Sequence, residues 1–99
     1  MKEVFMVHIQ LPDVFSFEFY ELIPRQREVI NRLMDRRIIL NYSLDMERKN
    51  VWAVFEVQDE AELLKELNSF PIIDDVKFEI HELAFHNAAP VDLPDVILN

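Results

Sequence analysis

The chain contains no glycine and no cysteine. Without glycine there is no GxGxxG fingerprint, no P-loop, no GxSxG elbow and no EF-hand loop, because each needs left-handed backbone or a close main-chain approach. The left-handed positions that any turn demands must fall to Asn or Asp, with Asn50, Asn68 and Asn87 as candidates. Without cysteine, disulfides and thiol chemistry are excluded. Long apolar runs are also missing. The longest charge-free runs, such as Val4 to Pro12, fall far short of the roughly 20 residues a transmembrane helix needs. Glu3 stands where a signal peptide wants a basic region, so a soluble cytoplasmic protein is the expectation.

Cations are scarce in the second half. Residues 1–50 balance eight Lys and Arg against eight Asp and Glu, whereas residues 51–99 carry two against eleven, which leaves the chain at −9. An acidic surface repels phosphate, so nucleic acid and anionic membranes are poor partners. Ninety-nine residues that are 51% hydrophobic suit one domain with a single core.

The central stretch, Ile38 to Val57, reads as a β-hairpin. Ile38, Leu40, Tyr42 and Leu44 alternate with Ile39, Asn41 and Ser43. Val51, Ala53, Phe55 and Val57 alternate with Trp52, Val54 and Glu56. A polar turn, Asp45 to Asn50, joins the two runs. Before the hairpin lie a strand, Val4 to Leu11, and a helix from about Val14 to Arg36, capped by Asp13 or Ser16. Leu22, Ile23, Val29, Ile30, Leu33 and Met34 recur in it at helical spacing. Pro24 should kink or divide it. After the hairpin come a capping-box start at Asp59 to Glu62, a helix to about Asn68, and a strand from Val76 to Phe85. The apolar tail, 86–99, should pack on a neighbouring surface or subunit.

The order β-α-β-β-α-β predicts a ferredoxin-like α+β domain: one four-stranded antiparallel sheet with two helices on one face. The other face should carry Met6, His8, Gln10, Trp52, Val54, Glu56, Glu79 and His81. Two such sheets packed together would cover it as a dimeric α/β barrel with a cavity at the interface.

His8 and His81 are the acid–base candidates, because histidine titrates near neutral pH and both fall on the same predicted face of neighbouring strands. Either could instead be an ordinary interface histidine. Glu56 and Glu79 could orient an imidazole or serve as rim charges. Trp52 could stack on a ligand or fill a dimer interface, with Met6 beside it. Tyr42 could donate a hydrogen bond to a ligand, although its neighbours in the alternation are aliphatic. His81-Glu82-Leu83-Ala84-Phe85-His86 is one residue too long for HExxH, and odd spacing on a strand sends the two histidines to opposite faces, so no metal site is expected. No cofactor-binding signature is present, and Ser16, Ser43 and Ser69 lack the surroundings of a nucleophile.

Taken in order, His8-Ile9-Gln10-Leu11-Pro12, the runs Ile38 to Leu44 and Val51 to Phe55, the Asp59-Glu60 helix start, Ser69-Phe70-Pro71-Ile72 and Glu79-Ile80-His81-Glu82-Leu83 with His86 resemble the muconolactone isomerase family of dimeric α+β barrels. The resemblance spans nearly the whole chain. It implies a cofactor-free isomerase that shifts a proton and a double bond in a small unsaturated lactone or enol of aromatic-compound breakdown. It also implies homodimers, in some members assembled into larger rings. Glu28 looks like the helix-one glutamate of those enzymes and joins His8 and His81 as a catalytic candidate, with Met6, Tyr42, Trp52 and Glu56 as substrate contacts. The chain departs from the family pattern at Arg36-Arg37, where a glycine usually stands. A non-catalytic small-molecule binder or assembly module on the same barrel is the alternative. A haem-degrading or quinone-forming monooxygenase rests on fold analogy alone.

Overall fold

The computed structural model describes residues 1–90. Four strands, β1 (Glu3–Gln10), β2 (Ile39–Leu44), β3 (Asn50–Val57) and β4 (Lys77–Leu83), form one antiparallel sheet in the order β2-β3-β1-β4. Two helices, α1 (Phe17–Asp35) and α2 (Glu60–Asn68), complete the ferredoxin-like β-α-β-β-α-β order. Both helices pack on the same sheet face. Phe5, Val7 and Ile9 of β1 and Val51, Ala53 and Phe55 of β3 meet Ile30 and Leu33 of α1 and Leu63 and Leu67 of α2 in one core. Each fully buried large side chain among them contributes about 1.5–3 kcal/mol.

Ser16 rather than Asp13 caps α1: its hydroxyl accepts from the Phe19 N–H at 3.1 Å. Pro24 lies inside α1 without dividing it. The pyrrolidine removes one hydrogen bond, and the packed stripe on either side holds the remaining turns together. Asp59 caps α2 by accepting from the Glu62 N–H at 2.8 Å, while the Glu62 carboxylate accepts from the Gln58 N–H at 3.3 Å.

The alternation expected for β2 breaks at Leu40. Ile39 pairs with Phe55, but Asn41 pairs with Val54 and Tyr42 with Ala53, so a bulge absorbs one residue. Ile39 therefore joins Tyr42 and Leu44 on the helix side, against the expectation that it would face away with Asn41 and Ser43. The left-handed positions are also not where expected. Arg37 (φ 59°) and Arg48 (φ 60°) occupy them, while Asn50 opens β3 and Asn68 ends α2. Arg37 turns the chain between α1 and β2, the place where glycine costs least.

The register puts the expected residues on the second sheet face. Met6 pairs with Val54 and His81; His8 pairs with Trp52 and Glu79; Val4 pairs with Glu56 and Leu83. This face is not wholly bare. β4 is shorter than expected, and the chain beyond it crosses toward the opposite sheet edge, where Asn41 of β2 donates from Nδ2 to His86 Nε2 at 2.9 Å. Val54 on this face is only 2% exposed. His86 lies past the strand end, so strand alternation does not govern it. The remainder of the apolar tail, 91–99, lies outside the described residues.

Candidate functional site

A cavity of about 360 Å³ lies on the helix side, between α1 and the hairpin end of the sheet. Its walls are mostly apolar, with Phe15, Phe19, Ile23, Ile30, Val51 and Ile72 among them. Polar groups converge at a few points: Gln26, Arg27 and Asn31 from α1, Tyr42 from β2 and Arg48 from the hairpin turn. Arg27, Asn31 and Arg48 are exposed and form the rim, whereas Gln26 is 6% exposed. The charged side chains lining the cavity are thus two arginines in a chain of net charge −9. Neither is ion-paired among the described residues.

Gln26 occupies a core position of α1. Phe19, Ile23, Gln26, Ile30 and Leu33 follow one another at three- and four-residue steps, which puts the carboxamide on the buried stripe. Its Oε1 accepts from the Ile72 N–H at 3.4 Å, and its Nε2 has no partner. A buried donor left unpaired costs about 1–3 kcal/mol. Burial pushes the Tyr42 phenol above its ordinary range, and the nearby Gln26 side chain partly opposes that shift. No hydrogen bond of good geometry joins the two. At neutral pH Tyr42 is therefore a neutral hydroxyl, able to donate.

On the opposite sheet face His8 is half-buried. Its ring stacks on Trp52, centroids 5.4 Å apart and planes 7° apart. His8 Nε2 lies 2.8 Å from Asn50 Oδ1, and Asn50 Nδ2 donates to Asp45 Oδ2 at 2.9 Å. Asp45 also accepts at Oδ1 from the Lys49 and Asn50 N–H groups. These donors, the Asn50 side chain foremost, hold the Asp45 carboxyl below the usual carboxylate range. A shallow cleft of about 180 Å³ is lined by His8, Gln10, Lys77, Phe78 and Glu79. His81, across from Met6, lies 3.5 Å from Glu79, and both side chains are well exposed.

The sheet thus divides the expected site. Met6, His8, Trp52, Glu56 and His81 share one face, and Tyr42 faces the cavity on the other. Glu28 is exposed on α1 and lines neither space. Sequence reasoning missed Gln26, Arg27, Asn31 and the Phe15–Phe19 wall. For Gln26 a signal existed: one amide interrupting an otherwise apolar helical stripe. Among the described residues, no group of three His, Asp or Glu side chains could hold a metal ion, and no helix is long and apolar enough to cross a membrane.

Comparison with protein-family models and with curated proteins gives no match for the chain.

Proposed function

We propose that this domain binds a small, largely apolar molecule carrying a carboxylate or similar acceptor, in the cavity between α1 and the sheet. The observation that carries this reading is the buried Gln26 amide, whose Nε2 has no partner in an apolar cavity of drug-sized volume. Such a donor is best explained by a ligand that accepts from it. The Tyr42 hydroxyl offers a second donor, and Arg27 and Arg48 complement a negative end at the mouth. The test is a titration with benzoate and other aryl or unsaturated carboxylates, followed in amide-correlation NMR spectra. Shifts that centre on the Gln26 side chain, Tyr42 and Ile72 support the reading; shifts scattered over the surface, or none across the panel, overturn it.

A second reading is a cofactor-free isomerase that moves a proton and a double bond in a small unsaturated lactone or enol. What favours it is His8, stacked on Trp52 and sharing a cleft with Glu79 and Lys77. In this reading His8 takes the proton from the far carbon of the conjugated system, the one that bears the ring oxygen. The freed electron pair becomes the new double bond as the old one shifts and charge moves to the carbonyl oxygen, and the proton returns at the carbon beside the carbonyl. General acid–base catalysis contributes about 10²–10⁴-fold. Proton NMR of muconolactone in D₂O should show accelerated conversion and deuterium uptake, lost in His8→Ala. Conversion no faster than the protein-free control sinks the reading for this substrate. A second copy of the chain over the His8 face would enclose the cleft, and the exposed Trp52 on that face supports the pairing. Light scattering at micromolar concentration should then give twice the chain mass.

A further inference from the structure

We infer that Asn50 and Asp45 are positioning residues for His8: together they hold its imidazole in the form protonated on Nε2 and leave Nδ1 as the free acceptor. The inference rests on the reading of His8 as a proton acceptor. It follows from which groups can donate. The Asp45 carboxylate, held ionised by its donors, only accepts, so the Asn50 atom 2.9 Å from Oδ2 must be the amide nitrogen. That fixes the other end of the Asn50 side chain as Oδ1, which also only accepts. His8 Nε2, 2.8 Å from Oδ1, must therefore carry a proton.

The opposite ring nitrogen has no hydrogen-bond partner among the described residues. Glu79 lies directly across from His8 on β4, yet its carboxylate turns to His81, 3.5 Å away. Trp52 covers one face of the ring and limits its rotation. A neutral imidazole with Nδ1 unprotonated beside the cleft suits a weak carbon or oxygen acid, such as a C–H next to a carbonyl or an enol O–H. The hairpin turn thus reaches the acid–base group through two side chains, neither of which touches a substrate. The Asn50 amide serves both ends because its donor and acceptor are separate atoms, Nδ2 toward the Asp45 carboxylate and Oδ1 toward the imidazole.

The test is long-range ¹H–¹⁵N correlation of the imidazoles in the full-length protein, above the pH at which they titrate. Wild type should show a pyridine-like Nδ1 and a pyrrole-like Nε2 for His8. Asn50→Ala should raise the fraction protonated on Nδ1 by about two- to ten-fold, the ratio one hydrogen bond is worth. Asp45→Asn should behave as Asn50→Ala does, and it keeps the question open to measurement if Asn50→Ala does not fold. A wild-type His8 protonated mainly on Nδ1, or an unchanged ratio in folded Asn50→Ala or Asp45→Asn, overturns the inference. If the tautomer pattern holds while muconolactone and related enols exchange no protons, the isomerase reading fails and the positioning assignment stands.

Discussion

Two arginines sit in left-handed backbone that an L-residue enters at a cost of about 1–2 kcal/mol. Replacing Arg37 by glycine should therefore raise the unfolding free energy by up to about 1 kcal/mol, once glycine's extra unfolded-state entropy is subtracted. A urea midpoint unchanged or lowered in Arg37→Gly would contradict this. At Gln26 two effects oppose each other. Leucine there removes an unpaired donor but strips the Ile72 N–H of its acceptor. Each is worth about 1–3 kcal/mol, so Gln26→Leu should change stability by less than about 1 kcal/mol. Carboxylate binding should weaken at least about ten-fold, the scale of one buried hydrogen bond to a charged group. Calorimetric titration and chemical unfolding of one sample separate the two outcomes. For Tyr42 the folded state holds the phenol proton more tightly than the unfolded chain does. Its contribution is thus intact through neutral pH. It declines once the unfolded phenol ionises near pH 10 and is lost as pH rises through the folded value. Tyr42→Phe should flatten that alkaline decline. At this scale the sequence told the chemistry of His8 and Tyr42 and, through their alternation sets, the opposite faces they take, but not that a cavity opens beside Tyr42.

Among the elements, the strands and their faces were legible because period-two alternation states the face directly. β2 was the exception. Its run Ile38-Ile39-Leu40 is apolar at every position, so no alternation marks the bulge that shifts Ile39 to the helix side. The cavity was illegible for a related reason. It arises where α1 and the hairpin turn diverge, and only the amide within the apolar stripe hinted at it. Helix α1 carries its own anomaly in Pro24, which is exposed and interrupts the hydrogen-bond ladder at the Tyr20 carbonyl. An interior proline costs about 3 kcal/mol, offset by up to about 1 kcal/mol of lost unfolded-state freedom. Pro24→Ala should then stabilise the fold by about 2 kcal/mol. Thermal melts that show no gain would mean that α1 bends at Pro24 to make better contacts than a straight helix would.

Over the whole molecule, charge is unevenly balanced by contact. The chain carries −9, yet the ion pairs among the described residues are an exposed Lys49–Glu47 contact at 4.0 Å and the exposed His81–Glu79 contact. Exposed pairs contribute about 0–1 kcal/mol, so general repulsion should dominate the salt response. Raising ionic strength from about 0.01 M to 1 M shortens the screening length from about 30 Å to 3 Å, and the urea midpoint should rise with it; a fall would mean that specific pairs outweigh repulsion. The order of the sheet bears on how the chain is made. β1 is central, yet its partners β3 and β4 are synthesised long after it. On the ribosome the apolar strand Glu3–Gln10 must wait with both edges unpaired until the chain past residue 57 has emerged, and with one edge bare until the chain past residue 83 follows. A nascent chain stalled before Lys77 would still present one bare edge of β1. Stalled or truncated products of this gene should therefore be sticky out of proportion to their size, and holding β1 until β4 arrives becomes a task for chaperones at the exit tunnel.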